Sequence, residues 1–271
     1  DVYVTEYFRV HRDSHPGKEI LRSIRELETD KPIIAQMIGN DPAHLVRTAE
    51  RIQQLTSCAG IDVNLGCPAP TVCGKDAGGA LLRDPDRIRR IALALRPVVR
   101  GAFTLKTRIG FESPDEFAAL LDLFATLPLD GLAIHGRTVR ERYQSDVHTA
   151  EIARAVATLP FPVVANGSIV SVASARAMRR KTGAAGLMIG RGAIRDPWLF
   201  EGIREDLAGR AAPRRRLHEV LAYLRELTGE VIELPETPQL VESGLRVLAA
   251  RVRVEDGRIA VIPLANLEML G

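Results

Sequence analysis

Short apolar runs alternate with longer stretches of mixed polarity from the first residues of this chain to about position 200. The apolar runs are VYVTEYF (2–8), PIIAQMI (32–38), GIDVNLG (60–66), AFTLKTRI (102–109), GLAIHG (131–136), PVVANGS (162–168) and GLMIGRG (186–192). Most carry little charge before their C-terminal ends, the pattern of strands buried on both faces of a parallel sheet. Between them, apolar residues recur at helical spacing in AHLVRTAERIQQL (43–55), PDRIRRIALAL (85–95), SPDEFAALLDLFATL (113–127) and SVASARAMRRKTG (171–183). Asp41 before Pro42 and Asp84 before Pro85 supply an N-cap and a first-turn proline. Ser113 and Pro114 followed by two acids suit a helix start, and Gly183 suits a helix stop.

This alternation predicts an α/β fold with a parallel sheet, and a (β/α)8 TIM barrel of about 250 residues fits a chain of 271. A closed barrel needs eight strands, and seven runs are visible. Asp1, not a methionine, stands directly ahead of the first run. The expectation is that the barrel's first strand and helix are missing from this chain. A doubly wound open sheet is the alternative, but no GxGxxG turn follows any run. Beyond Phe200 the pattern changes, and a division into 1–200 and 201–271 is expected. Residues 203–232 read as helix, basic turn and helix, LPETP (234–238) as a breaker, and 246–263 as a hairpin around Glu255, Asp256 and Gly257.

Composition narrows the classes. Hydrophobic residues make up 46% and charged residues 26%, ordinary for a globular protein. No apolar run reaches the roughly 18 residues of a membrane span and no signal peptide opens the chain, so a cytoplasmic location is expected. Cys58, Cys67 and Cys73 cannot all pair with one another, and their spacing lacks the second ligand pair of a zinc site. Free thiols and no metal are expected. Net charge is only +3, yet arginines cluster at Arg87, Arg89 and Arg90 and at Arg210, Arg214, Arg215 and Arg216. Such clusters suit phosphates, and equally suit solvated helix faces. No heptad seam is visible, so a monomer is expected.

Barrel enzymes place their chemistry at the C-terminal ends of the strands. The polar residues there are Gln36, Asn64, Cys67, Lys106, Arg108, His135, Asn166 and Arg191, with Gly190 beside the last. The chain rarely uses lysine, and one of its few, Lys106, lies inside a strand. Two residues on, Arg108 shares its face, so both cations can point at the barrel mouth. They suit an anionic ligand or an electron-rich ring. His135 can donate to a carbonyl or move protons near neutral pH. The turns at Asn166-Gly167 and Gly190-Arg191-Gly192 end the last two strands, where this fold commonly binds phosphate. Cys67, in NLGCPAP beside glycine-rich GKDAGGALL (74–82), is a candidate acid or nucleophile, or an inert buried thiol.

VNLGCPAPTVCGKDAGGALLRDP (63–85), LKTRIG (105–110), AIHGRT (133–138), VVANGSI (163–169) and LMIGRGA (187–193) together resemble the tRNA-dihydrouridine synthases. The opening VTEYFRV (4–10) and the GGALL loop look most like the bacterial C subfamily, and the likeness covers roughly residues 1–230. The resemblance implies an FMN-bound barrel that reduces the C5–C6 bond of a uridine in tRNA, an oxidoreductase using NADPH. It implies that Cys67 protonates C5, that Asn64 lies beside the uracil and that Arg108 lies near the substrate. Gln36, Lys106, His135, Asn166, Gly167, Gly190 and Arg191 match positions that hold FMN. Ser168, grouped with them, stands where the family carries an acid. The family ends in a helical bundle that grips tRNA. LHEVLAYLRELTGEV (217–231) begins like that bundle, whereas 246–263 does not continue it. Two other readings stay open: an FMN-dependent barrel reductase of a small molecule, and a truncated barrel without catalysis.

Overall fold

The apolar runs form parallel strands in the computed structural model, which describes residues 1–27, 29–213, 215, 218–220, 222–223, 249–253 and 259–263. The strands are β1 (Tyr3–Val4), β2 (Phe8–Arg9), β3 (Ile33–Ile38), β4 (Gly60–Asn64), β5 (Ala102–Arg108), β6 (Gly131–His135), β7 (Val163–Asn166) and β8 (Gly186–Met188). They lie in the order β1-β3-β4-β5-β6-β7-β8, with β2 also pairing to β3. The first run is therefore not one continuous strand. It pairs with β3 at Ile33 and Ile34 and again at Met37 and Ile38. Between these pairings the hydroxyl of Thr5 accepts the Gln36 backbone N–H at 3.1 Å, a side chain standing in for the ladder carbonyl.

Helices join successive strands of the sheet, α1 (Lys18–Glu26), α2 (Pro42–Leu55), α3 (Pro70–Cys73), α4 (Pro85–Leu95), α5 (Phe117–Ala125), α6 (Thr149–Thr158) and α7 (Val172–Thr182), and α8 (Arg191–Arg195) and α9 (Leu199–Leu207) follow β8. The predicted caps form. Asp41 accepts from His44 N, Asp84 from Arg87 N, and Gly183 ends α7 in the left-handed conformation. The 113–127 segment begins with a short 3-10 turn, Pro114–Glu116, closed by a Ser113/Glu116 capping box, before α5. The longer helices bury apolar stripes in the core: Leu45, Ala49 and Ile52 from α2, Ile88, Ile91 and Leu95 from α4, and Phe117, Leu120 and Phe124 from α5. β4 and β6 are buried at every residue; β6 accordingly shows no polar alternation, whereas β4 alternates Ile61 and Val63 with Asp62 and Asn64.

The architecture is that of a (β/α)8 TIM barrel with seven strand positions filled among the described residues; β8 and the β1/β2 pair form the edges. The chain divides into two units, Asp1–Ile203 and Arg204–Gly271. In the second, β9 (Ala249–Arg253) and β10 (Ile259–Pro263) pair antiparallel, as the hairpin pattern predicts. Of the helix expected over 217–232, residues 218–220 and 222–223 are helical; the rest, and the 234–238 breaker, lie outside the described residues. Among the described residues no helix is long and apolar enough to cross a membrane.

Candidate active site at the strand C-termini

Because the strands are parallel, their C-terminal residues meet along one rim. Register sets Asn64 beside Lys106, and sets Arg108, His135, Asn166 and Met188 in one row. A cleft of about 560 Å³ opens there, a volume within the usual range for a cofactor site. Its walls include Asn64, Cys67, Lys106, Arg108, His135, Asn166, Gly167, Ser168, Gly190 and Arg191. Ten of the residues singled out in the sequence thus come together. Gln36 does not join them on the wall: its buried amide is committed to its neighbours.

Cys67 sits on a turn just after β4, and its backbone is tied at both ends. Its N–H donates to Asn64 Oδ1 at 2.9 Å, and its carbonyl accepts from Gly79 N at 3.0 Å and from the Cys73 thiol at 3.4 Å. The glycine-rich 74–82 segment is largely a buried 3-10 turn, Gly78–Arg83, rather than an open loop. Its glycines allow the close approach: a Cβ on Gly79 would lie 2.9 Å from the Cys67 carbonyl and 2.6 Å from a Val139 methyl. Cys58, Cys67 and Cys73 are all free. Burial holds the Cys73 thiol above the usual cysteine range.

The cationic groups are fixed differently from one another. Arg108 donates through Nε to Gly66 O at 2.8 Å and through Nη1 to the carbonyls of Thr138 and Arg142. It therefore braces two loops as well as lining the cleft. Burial lowers the Lys106 ammonium to about 8, with the nearby Asp62 carboxylate opposing that fall. Burial raises Asp62 to about 7, against hydrogen bonds from Thr104 and Gln36 and the charge of Lys106. Burial, then the charges of Arg108, Lys106, Arg137 and Arg191, drive His135 down to about 3. The imidazole is thus neutral near neutral pH, which narrows its expected role to hydrogen bonding.

The opposite wall is built on glycine turns. Asn166 Nδ2 donates to Met188 O at 2.8 Å, tying β7 to β8. Ser168 adopts a positive φ of 51° and its hydroxyl accepts from Arg137 Nη2 at 2.9 Å. Two buried atoms here have no partner, His135 Nδ1 and Arg137 Nη1. A Cβ on Gly190 would meet nothing within 4 Å, so that turn borders open space. Tyr143 lies 4.2 Å beneath the Arg191 guanidinium, 5.5 Å from that of Arg108, and edge-on to His135.

Asp62, Arg137 and Tyr143 escaped the sequence reading. Alternation within GIDVN puts Asp62 on the face of Asn64, a signal that was available. Of the arginine clusters, Arg87 pairs with Asp84, Arg89 donates to Thr126, Arg210 pairs with Glu205 and Arg215 with Glu219. Arg214 and Arg216 lie outside the described residues.

Fold and site together define a TIM-barrel protein with a polar, cation-lined cleft and a free thiol at the C-terminal rim of the strands. The family model for dihydrouridine synthase matches residues 1–253, and the chain belongs to that family. It is 34% identical over 217 residues to a tRNA-dihydrouridine(16) synthase of Haemophilus ducreyi, covering 77% of this chain and 66% of that one. It is 37% identical over 216 residues to a tRNA-dihydrouridine synthase B of Pseudomonas aeruginosa, covering 79% and 64%. The matched part of the chain thus spans just under two thirds of the length of these relatives. Among solved structures, histamine dehydrogenase from Rhizobium sp. 4-9 superposes with a TM-score of 0.53 over 69% of this chain and 37% of that one, at 14% identity, a likeness of fold.

Proposed function

We propose that this chain is the catalytic barrel of a tRNA-dihydrouridine synthase, binding FMN at the strand ends and reducing a uridine C5–C6 bond in tRNA with electrons from NADPH. The observation that carries the reading is the placement of Cys67: a thiol on a doubly tied turn, at the mouth of a cleft lined by Lys106 and Arg108, in a chain of this family.

The donor set fits such a cofactor. An anionic group suits Arg191, the open turn at Gly190 and the Asn166-Gly167 turn, because these line one end of the cleft with a guanidinium and glycine turns that a ligand can approach closely. The unpaired His135 Nδ1 and the Lys106 ammonium suit the carbonyls of a polar ring. Ser168 would complete that wall through its contact with Arg137. When bound, a flavin would provide the hydride chemistry at C6, which no side chain can do.

The chain's own residues do the rest. Cys67 transfers its thiol proton to C5: the S–H bond breaks, a C–H bond forms, and solvent later reprotonates the sulfur. Lys106 and Arg108 stabilise negative charge that develops on the ring carbonyls as hydride arrives. Asn64 donates to a ring carbonyl. The target base must leave its stack to reach the cleft, and an aromatic such as Tyr143 beside the mouth suits a flipped base.

The test is the visible spectrum of the purified chain, followed by incubation with unmodified tRNA. Flavin bands near roughly 375 and 450 nm that bleach with NADPH are expected, together with dihydrouridine in the RNA. A protein that stays colourless after FMN is added overturns the cofactor assignment. A reducible flavin with no dihydrouridine overturns the substrate assignment.

A further inference from the structure

A run of directed hydrogen bonds leads from β5 to the turn that carries Cys67. Thr104 Oγ1 donates to Asp62 Oδ1 at 2.6 Å, and Gln36 Nε2 donates to Asp62 Oδ2 at 2.8 Å. Gln36 Oε1 accepts from Asn64 Nδ2 at 2.9 Å. Asn64 Oδ1 accepts from the backbone N–H groups of Gly66 and Cys67, at 3.0 and 2.9 Å. Where Asp62 is ionised, above about pH 7, the two ends are opposite in kind: backbone N–H can only donate, and a carboxylate can only accept. One orientation of the two amides between them satisfies every link. Asp62, Gln36 and Asn64 are all at most 7% exposed, so water cannot repair a reversed amide.

We propose that Asp62 is a positioning residue: as the acceptor end of this run it fixes both amides, so that Asn64 anchors the Cys67 turn and offers the cleft only an N–H. The proposal rests on the reading of Cys67 as proton donor and deepens it. Both lone pairs of Asn64 Oδ1 are engaged by the backbone, leaving one Nδ2 hydrogen for a ligand. Lys106 and Arg108 on the same wall have no acceptor capacity either. A group bound against this wall must bring acceptors. Uracil meets this demand with a carbonyl at either O2 or O4, whereas cytosine presents a 4-amino donor in place of O4.

The test uses the full chain and compares Asp62→Leu with Asp62→Asn. Leucine matches the volume but leaves Gln36 Nε2 and the Thr104 hydroxyl without their acceptor, so the thermal midpoint at pH 8 should fall while the chain still folds. Alkylation by iodoacetamide, followed peptide by peptide with Cys58 as reference, reads the turn directly. Asp62→Leu should alkylate Cys67 at least about threefold faster, as a loosened turn exposes the thiol. Asp62→Asn keeps an oxygen for Gln36, and the Thr104 hydroxyl can turn to accept from the new amide. It should restore the alkylation rate to within about twofold. On unmodified tRNA, Asp62→Leu should lower kcat about tenfold or more with KM little changed, since a small displacement of the donor acts on the chemical step. A wild-type Cys67 alkylation rate in Asp62→Leu overturns the proposal. If that variant does not fold, Gln36→Met breaks the middle link, and an unchanged Cys67 rate there overturns it equally. Faster alkylation in a protein whose wild type makes no dihydrouridine supports the positioning role and refutes the reaction.

Discussion

The two walls of the cleft differ in how complete they are. On the β3–β5 side, the polar groups of Gln36, Asp62 and Asn64 satisfy one another, and the run ends on the Cys67 turn. On the β6–β8 side, the Gly190 turn borders open space, and His135 Nδ1 and Arg137 Nη1 are buried without partners. Buried polar groups are normally paired. A wall that satisfies itself is built to hold a reactive group still. One that leaves donors and acceptors over is built to be completed by a ligand. The contrast assigns placement of the thiol to the first wall and binding to the second.

The largest expected effect separates the two. Cys67→Ala should leave flavin bound and reducible by NADPH while dihydrouridine formation falls by about a hundredfold or more, the usual worth of a placed acid. Unchanged product formation would take Cys67 out of the mechanism and leave the first wall without its purpose.

The walls should also titrate in opposite senses. His135 is held at about 3, below its unfolded value, so its cost to folding is absent above about pH 6.5 and grows as pH falls. Asp62 is held at about 7, above its unfolded value, so its cost is absent below about pH 4 and grows until pH passes about 7. In urea unfolding, His135→Gln should gain on wild type by about 2 kcal/mol between pH 6.5 and 5. Asp62→Asn should gain by about 2 kcal/mol between pH 5 and 7. Parallel stability curves for either variant and wild type would refute the corresponding burial argument.

Much of this site was legible because strand ends and barrel rims are local features. Lys106 and Arg108 share a face by simple alternation, and the cleft holds both. The apolar runs gave the strands, since β4 and β6 are buried throughout. Helices α1 and α6 were harder to see. Their N-caps, Gly17 and His148, make no side-chain cap, and α6 buries only Ile152 and Ala155. At the break between β1 and β2 the Thr5 hydroxyl accepts from Gln36 N, a contact that a residue reading as ordinary strand does not announce. Tyr143 was invisible for a different reason: its partners Arg108 and Arg191 are far from it in sequence, and only folding joins them. Gln36 illustrates the converse, a polar strand residue whose amide serves the protein itself.

Lys106 tests whether the division between walls is complete, because it faces both. It lines the cleft, and its charge is the cation that favours ionised Asp62. Lys106→Met should weaken FMN binding about tenfold, the loss of one charge-assisted contact of roughly 1.4 kcal/mol. It should also move the Asp62-dependent limb of the stability curve to higher pH, because the carboxylate loses its neighbouring cation. Fluorescence quenching on flavin binding reads the first effect, and unfolding against pH reads the second. A shifted limb with unaltered FMN affinity would assign Lys106 to the Cys67 wall alone. Weaker FMN binding with an unmoved limb would assign it to the ligand and remove it from the account of Asp62. Both effects together would mean that filling the ligand wall changes the charge balance around Asp62, two residues before Asn64.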